Sequence, residues 1–268
     1  MRTLTHLAYG PHERNVLDLY LPDHPSGPLP LVVCIHGGGW TGGDKQNWAW
    51  EAAGLAESGF AAATINYRFC PEWIFPAQVD DVQRAVRWLR HHAARYGLDP
   101  SRLAAMGDSA GGHLGSFLGL TDTRRYVPDE LAMYSSRVSC VVDCYGPVDM
   151  FWMVRSASAP ILEKFLGRPL SLESTADYLA ASPPAQIIPP VCPFLILHGT
   201  LDIGDTRGEV PFGISESFAN RLRAAGGQVE HVLLEGGRHG FMTAGPQGPQ
   251  AQQGMDLALA FLKKHLLR

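Results

Sequence analysis

Short apolar runs and longer stretches of helical period alternate along this chain. Leu31–Ile35, Phe60–Asn66, Arg102–Met106, Val138–Cys144, Phe194–Leu197 and Val229–Leu234 have strand length, and several are apolar at consecutive positions. A strand with one wet face alternates, whereas an unbroken apolar run suits a strand covered on both faces. Asn15–Leu21 reads as a strand ahead of them. Between the runs, 79–96 places Val79, Val82, Val86, Leu89 and Ala93 on one stripe, with Asp80 and Asp81 near its start and Arg95 near its end, as the helix dipole favours. Gly97 supplies a stop. Ser215–Ala225 and Ala251–Leu267 also carry helical spacing. Strand followed by helix, repeated, predicts an α/β fold with a mostly parallel sheet. Leu120–Arg137 and Phe151–Ala181 break the alternation and are expected to supply any lid or cap.

The 268 residues, 46% apolar and 18% charged, are sufficient for one large core, so a single domain over 1–268 is expected. A net charge of −4 without a run of like charges argues against nucleic acid as a partner. The first residues lack an apolar stretch and the internal apolar runs are too short to span a bilayer, so a soluble, cytoplasmic protein without membrane attachment is expected. The 5 cysteines have no zinc-type spacing, and Cys34, Cys140 and Cys144 fall within strand runs; buried free thiols are the expectation.

The chemistry is concentrated in glycine-flanked turns. Gly107-Asp108-Ser109-Ala110-Gly111 has the form Gly-x-Ser-x-Gly, between a strand and a helix, where a serine on a sharp turn would be exposed as a nucleophile. His36-Gly37-Gly38-Gly39-Trp40 follows the strand Leu31–Ile35. Its glycines can aim backbone amides at a developing oxyanion, which makes Gly38, Gly39 and the amide of Ala110 the candidate donors. The loop lacks the Lys-Ser/Thr of a phosphate-binding loop. A serine needs a base, and the base needs a carboxylate to hold its tautomer. His198-Gly199-Thr200-Leu201-Asp202 and Gly237-Arg238-His239-Gly240-Phe241 each follow a late strand, so both lie at carboxyl ends of strands, where parallel sheets bind ligands. Of the 11 histidines, His239 alone combines chain order, strand and glycine flank; His36, His113 and His198 are expected to make structural hydrogen bonds.

Taken together, these motifs resemble the hormone-sensitive-lipase and feruloyl-esterase-like branch of the α/β-hydrolases. The resemblance extends through Asn66-Tyr67-Arg68, Pro71-Glu72, Phe75-Pro76 and Tyr96-Gly97-Leu98-Asp99-Pro100. Trp40 followed by Thr41-Gly42-Gly43-Asp44-Lys45 is closer to the feruloyl- and acetylxylan-esterase-like group, and with strands starting early in the sequence no helical amino-terminal cap is expected. The resemblance implies an eight-stranded sheet, a small or absent cap, and a carboxylesterase using Ser109, His239 and Asp202 without cofactor or metal. It also implies a small-molecule ester as partner: short-chain or aromatic, acetylated sugars and feruloyl-type esters included. Trp40, Asp108, Phe151, Trp152 and Phe241 are the candidate substrate-binding residues; Met150 and Met153 share the segment that would line an apolar pocket. The chain departs from the pattern after the acid. In the family a Val-Pro follows about two positions on, whereas here residues 203–209 intervene before Val210-Pro211, so Asp205 is the alternative acid. An arylformamidase-like amide hydrolase and a non-catalytic small-molecule receptor are the competing functions. Asp108 in place of a histidine, and the presence of His239, respectively speak against them.

Overall fold

The structure, a computed structural model, describes residues 1–125, 127–243 and 248–267. Eight strands form one sheet: β1 (Arg2–Ala8), β2 (Val16–Leu21), β3 (Leu29–Ile35), β4 (Ala61–Ile65), β5 (Leu98–Asp108), β6 (Cys140–Cys144), β7 (Phe194–Gly199) and β8 (Val229–Leu234), in the order β1-β2-β4-β3-β5-β6-β7-β8. β2 runs antiparallel to both β1 and β4, and every pairing from β4 to β8 is parallel. This is the α/β-hydrolase arrangement. Strand β1 is absent from the pattern-based reading because it is an edge strand of mixed, largely exposed residues, recognisable only by its ladder to β2.

The helices are α1 (Ala49–Glu57), α2 (Ala77–His91), α3 (Ala93–Tyr96), α4 (Ala110–Leu120), α5 (Met150–Met153), α6 (Ala159–Leu166), α7 (Thr175–Ala180), α8 (Gly213–Ala224) and α9 (Pro249–Leu266). The single helix expected over 79–96 is divided at His92, whose amide turns back to the carbonyls of Trp88 and Arg90. The strand period sorts side chains into two cores. Leu31, Val33 and Ile35 face one layer with Val82, Val86 and Leu89 of α2 and Leu114 and Leu118 of α4. Val32 and Cys34 face the other, with Leu55 of α1 and Phe261 and Leu262 of α9. Both faces of the central strands are therefore dry, which is why their sequences do not alternate.

All five cysteines are free, and four of them are buried. No helix among the described residues is long and apolar enough to cross a membrane. Segment 151–181 folds into α5, α6 and α7. Among its described residues, the segment 120–137 holds one helical turn after α4, Asp129–Leu131, and it is tied to α2 through Arg87, which donates to Asp122, Thr123 and Ser136. Tyr126, within that segment, lies outside the described residues.

Candidate active site

Strand β5 ends at Asp108 and helix α4 begins at Ala110, leaving Ser109 alone in the turn, with φ 51° and ψ −120°. That backbone is rare for a residue with a Cβ and is held here by its surroundings. The Ser109 amide donates to the Cys144 carbonyl at the end of β6, and its carbonyl accepts from His113. The turn closes only because α4 can approach β3: a Cβ on Gly111 would sit 1.9 Å from the Ile35 carbonyl oxygen.

Two late turns meet this serine. His239 Nε2 lies 2.9 Å from Ser109 Oγ, and His239 Nδ1 lies 2.6 Å from Asp202 Oδ2. Asp202 is fully buried and accepts from two further donors: His198 Nε2 at 3.0 Å and the Val210 amide at 2.8 Å. Burial alone would raise its pKa, but the hydrogen bonds and charge of the two imidazoles outweigh it and hold the carboxyl below its ordinary value. Residues 203–209 leave the sheet and return, so that Val210 delivers its amide to Asp202 and the Phe212 amide reaches the Asp202 carbonyl. The departure in Val-Pro spacing thus leaves the contact to Asp202 in place. Asp205 is exposed at the outer side of this excursion, where its amide donates to Glu209.

Gly38, with φ 106°, and Gly39, with φ 59°, form the loop facing the serine. A Cβ on Gly38 would lie 2.3 Å from the Gly42 carbonyl oxygen, so glycine is required there. Asp108 positions the loop: its Oδ1 accepts from the Gly37 amide at 2.9 Å and from Trp48 Nε1 at 2.7 Å. Burial raises the Asp108 pKa against these two donors. The Ala110 amide, first in α4, has no acceptor within its helix. Trp40 stacks on Phe165 of α6 at 4.1 Å and donates to His113 Nδ1, while His113 Nε2 donates to the Ala181 carbonyl. Burial lowers the His113 pKa to about 4, which keeps that ring neutral, and its two hydrogen bonds fix the tautomer with the proton on Nε2. His36, stacked on Tyr67 and also lowered to about 4 by burial, is likewise structural in its contacts, as is His198 against Asp202.

Ser109 and His239 open into a cavity of about 310 Å³, walled by Gly38, Gly39, Trp40 and Thr41 on one side and by Met153, Ile161, Leu162 and Val210 on the other. Trp40 and Asp108 border it. Phe151, Trp152 and Phe241 do not, which corrects the sequence reading. In the single turn of α5, Met150 and Met153 share the inward face, so Phe151 turns to Tyr178 and Trp152 lies exposed over Gly213. Met150 is buried in the core and Met153 alone of this segment reaches the cavity. Phe241 is buried against Tyr145, whose ring also packs edge-on beneath His239. Segment 151–181 covers the cavity through α6, and none of the described residues of 120–137 borders it. Ile161 and Leu162 carry no motif, and nothing in the sequence but helical spacing in a cap segment marks them.

A family profile described as BD-FAE matches residues 17–222. "Probable carboxylic ester hydrolase LipM" of Mycobacterium tuberculosis is 34% identical over 248 residues, covering 89% of this chain and 56% of that protein. The chain thus spans little more than half the length of this curated relative. Among solved structures, a truncated carbohydrate esterase from gut microbiota superposes with a TM-score of 0.86 at 27% identity, covering 100% of this chain and 97% of the other. Esterase 2 of Thermogutta terrifontis, with propionate bound, gives a TM-score of 0.80 at 28% identity over 97% of this chain and 93% of its own. The same esterase has also been solved phosphorylated by paraoxon.

Proposed function

The chain belongs to the BD-FAE family, and from that premise we propose that it is a serine carboxylesterase acting on small esters with short or aromatic acyl groups. The observation that carries the proposal is the hydrogen-bonded line Ser109–His239–Asp202 opening on a cavity of about 310 Å³ with apolar side chains on its wall. His239 removes the Ser109 proton as Oγ attacks the ester carbonyl. Asp202 keeps the proton of His239 on Nδ1, so that Nε2 faces the serine as an acceptor, and it stabilises the imidazolium once formed. The amides of Gly38, Gly39 and Ala110 receive the oxyanion, each such donor being worth about 3 kcal/mol in the transition state. The imidazolium returns its proton to the departing alcohol. Water, activated by the same imidazole, then hydrolyses the acyl-enzyme and releases the acid.

The cavity wall supports the substrate class. Trp40, Met153, Ile161, Leu162 and Val210 offer apolar surface to an acyl or aryl group, within a volume at the small end for ligand pockets. Propionate bound to the Thermogutta esterase and its phosphorylation by paraoxon agree with a small acyl site beside a reactive serine. The test is hydrolysis of p-nitrophenyl esters from acetate to decanoate, with a feruloyl ester and a formanilide alongside, by the protein and by Ser109→Ala. Activity peaking at short or aromatic acyl groups and absent from the variant is expected. Cleavage of the formanilide alone would transfer the site to amide hydrolysis, and activity retained by Ser109→Ala would overturn the assignment.

A further inference from the structure

Resting on the esterase reading, we infer that this site selects esters that carry a second, ionised carboxylate, held by Lys164 and Arg207 at the cavity wall. Both residues border the same cavity as Ser109. Neither belongs to the sheet that builds the triad. Lys164 comes from α6 of the cap segment, and Arg207 from the 203–209 excursion that separates Asp202 from Val210. Both are exposed, and among the described residues neither takes part in a salt bridge or a side-chain hydrogen bond.

The surrounding acids are accounted for. Among the described residues Asp108 is the one carboxylate on the cavity wall; its Oδ1 is held by the Gly37 amide and the Trp48 indole, both neutral donors, at the end of the cavity beside Ser109. Glu209 caps its own loop, accepting from the amides of Asp205 and Thr206. Asp205 borders a separate depression with Trp152 and Arg155. Glu163 is the neighbour of Lys164 along α6, but it does not border the cavity. Two cations therefore face this cavity against a single carboxylate, Asp108, and among the described residues neither pairs with it.

The excursion that brings Arg207 is also a fixed part of the site. The Gly208 amide donates to Ser158 Oγ at 2.9 Å, Ser158 Oγ donates to the Glu209 carbonyl, and the Ala157 amide donates to the Gly204 carbonyl. The excursion is thus fastened to the entry of α6, the helix that bears Lys164. A neutral ester gains nothing from either cation. An ester with a carboxylate remote from the scissile bond gains up to two charge-assisted contacts.

The test compares charge at constant shape. On the alcohol side, 4-acetoxybenzoate is set against 4-acetoxybenzamide. On the acyl side, the p-nitrophenyl monoester of glutarate is set against its terminal amide, with Ser109→Ala correcting for spontaneous hydrolysis. Exposed ion pairs contribute little each, so kcat/KM is expected to favour the anion in at least one pair by about five- to tenfold. The ratio should fall towards one in Lys164→Met/Arg207→Met and reverse in Lys164→Glu/Arg207→Glu. In the unmodified protein the ratio should also fall when salt is raised from about 0.05 to about 0.5 M, a readout that does not depend on any variant folding. Equal kcat/KM for anion and amide in both pairs, or a ratio untouched by the substitutions, would overturn this inference and leave the esterase intact. Failure to cleave any of these esters would overturn the esterase reading itself.

Discussion

Asp202→Asn separates the two acids that the sequence left open. Three donors converge on the Asp202 carboxylate: His239 Nδ1 at 2.6 Å, His198 Nε2 at 3.0 Å and the Val210 amide at 2.8 Å. An asparagine cannot keep all three, because its amino group replaces either Oδ1, which accepts from Val210, or Oδ2, which accepts from both imidazoles. With its carbonyl oxygen towards Val210, its amino group faces two imidazole N–H groups, donor against donor. The relief available to His239 is to move its proton to Nε2, where it points at Ser109 Oγ and removes the lone pair that must accept the serine proton. A triad histidine in the wrong tautomer costs about 10⁴-fold in kcat. That corresponds to about 5.5 kcal/mol of transition-state stabilisation, and it should leave KM little changed because the cavity wall is untouched. Asp205→Asn changes an exposed side chain outside this network and is expected to alter kcat by less than about twofold, as surface substitutions usually do. Steady-state kinetics on p-nitrophenyl butyrate measure both variants. If Asp205→Asn removed most of the activity and Asp202→Asn did not, the reasoning from this geometry would be refuted.

Other substitutions test the supporting contacts. His198→Phe deletes the donor shared by Asp202 Oδ2 and the Val210 carbonyl and should lower kcat by about ten- to hundredfold, the value of a hydrogen bond to a charged group; an unchanged kcat would make His198 a packing residue only. Gly111→Ala would put a methyl group 1.9 Å from the Ile35 carbonyl oxygen, between two backbones. It should lower the melting temperature by about 10 °C or prevent folding, and a variant melting like the parent would show that α4 can retreat from β3. Asp122 is held at about 2 because hydrogen bonds from Ser136, Ser135 and Arg87 outweigh the burial that would raise it. Its folded pKa lies below the unfolded value of about 3.9, so its stabilisation is present above that value and is lost as the pH falls towards 2. Denaturant unfolding should show Asp122→Asn less stable than the parent at neutral pH, with the gap closing between about pH 4 and 2; a gap independent of pH would contradict the assignment.

Much of the fold was legible because both faces of the central strands are covered, which leaves unbroken apolar runs such as Leu31–Ile35 and Phe194–Leu197. Strand β1 was not, since an exposed edge strand has no reason to be apolar. The site residues that glycines flank could be read in the same way. Ser109 needs a turn that α4 can approach through Gly111, and Gly38 needs a conformation that a side chain would block. The acid was ambiguous because spacing is a one-dimensional signal. Residues 203–209 lengthen the chain between Asp202 and Val210 without moving the Val210 amide away from the carboxylate. The cavity wall was the least legible part. Sequence proximity to a strand end suggested Phe151 and Trp152, but one helical turn decides which of 150–153 face inward, and it selects Met153. Ile161, Leu162, Lys164 and Arg207 reach the site only through the docking of α6 and of the 203–209 excursion, a tertiary arrangement that no local pattern encodes.

The central claim is that Ser109 is a nucleophile activated by His239, and the most direct measurement is covalent labelling. The protein, Ser109→Ala and His239→Ala are each incubated with a fluorophosphonate and analysed by intact and peptide mass spectrometry. The account predicts one adduct per chain, placed on the peptide containing Ser109, absent from Ser109→Ala and formed far more slowly by His239→Ala. An unlabelled parent protein, or equal labelling of Ser109→Ala, would contradict it.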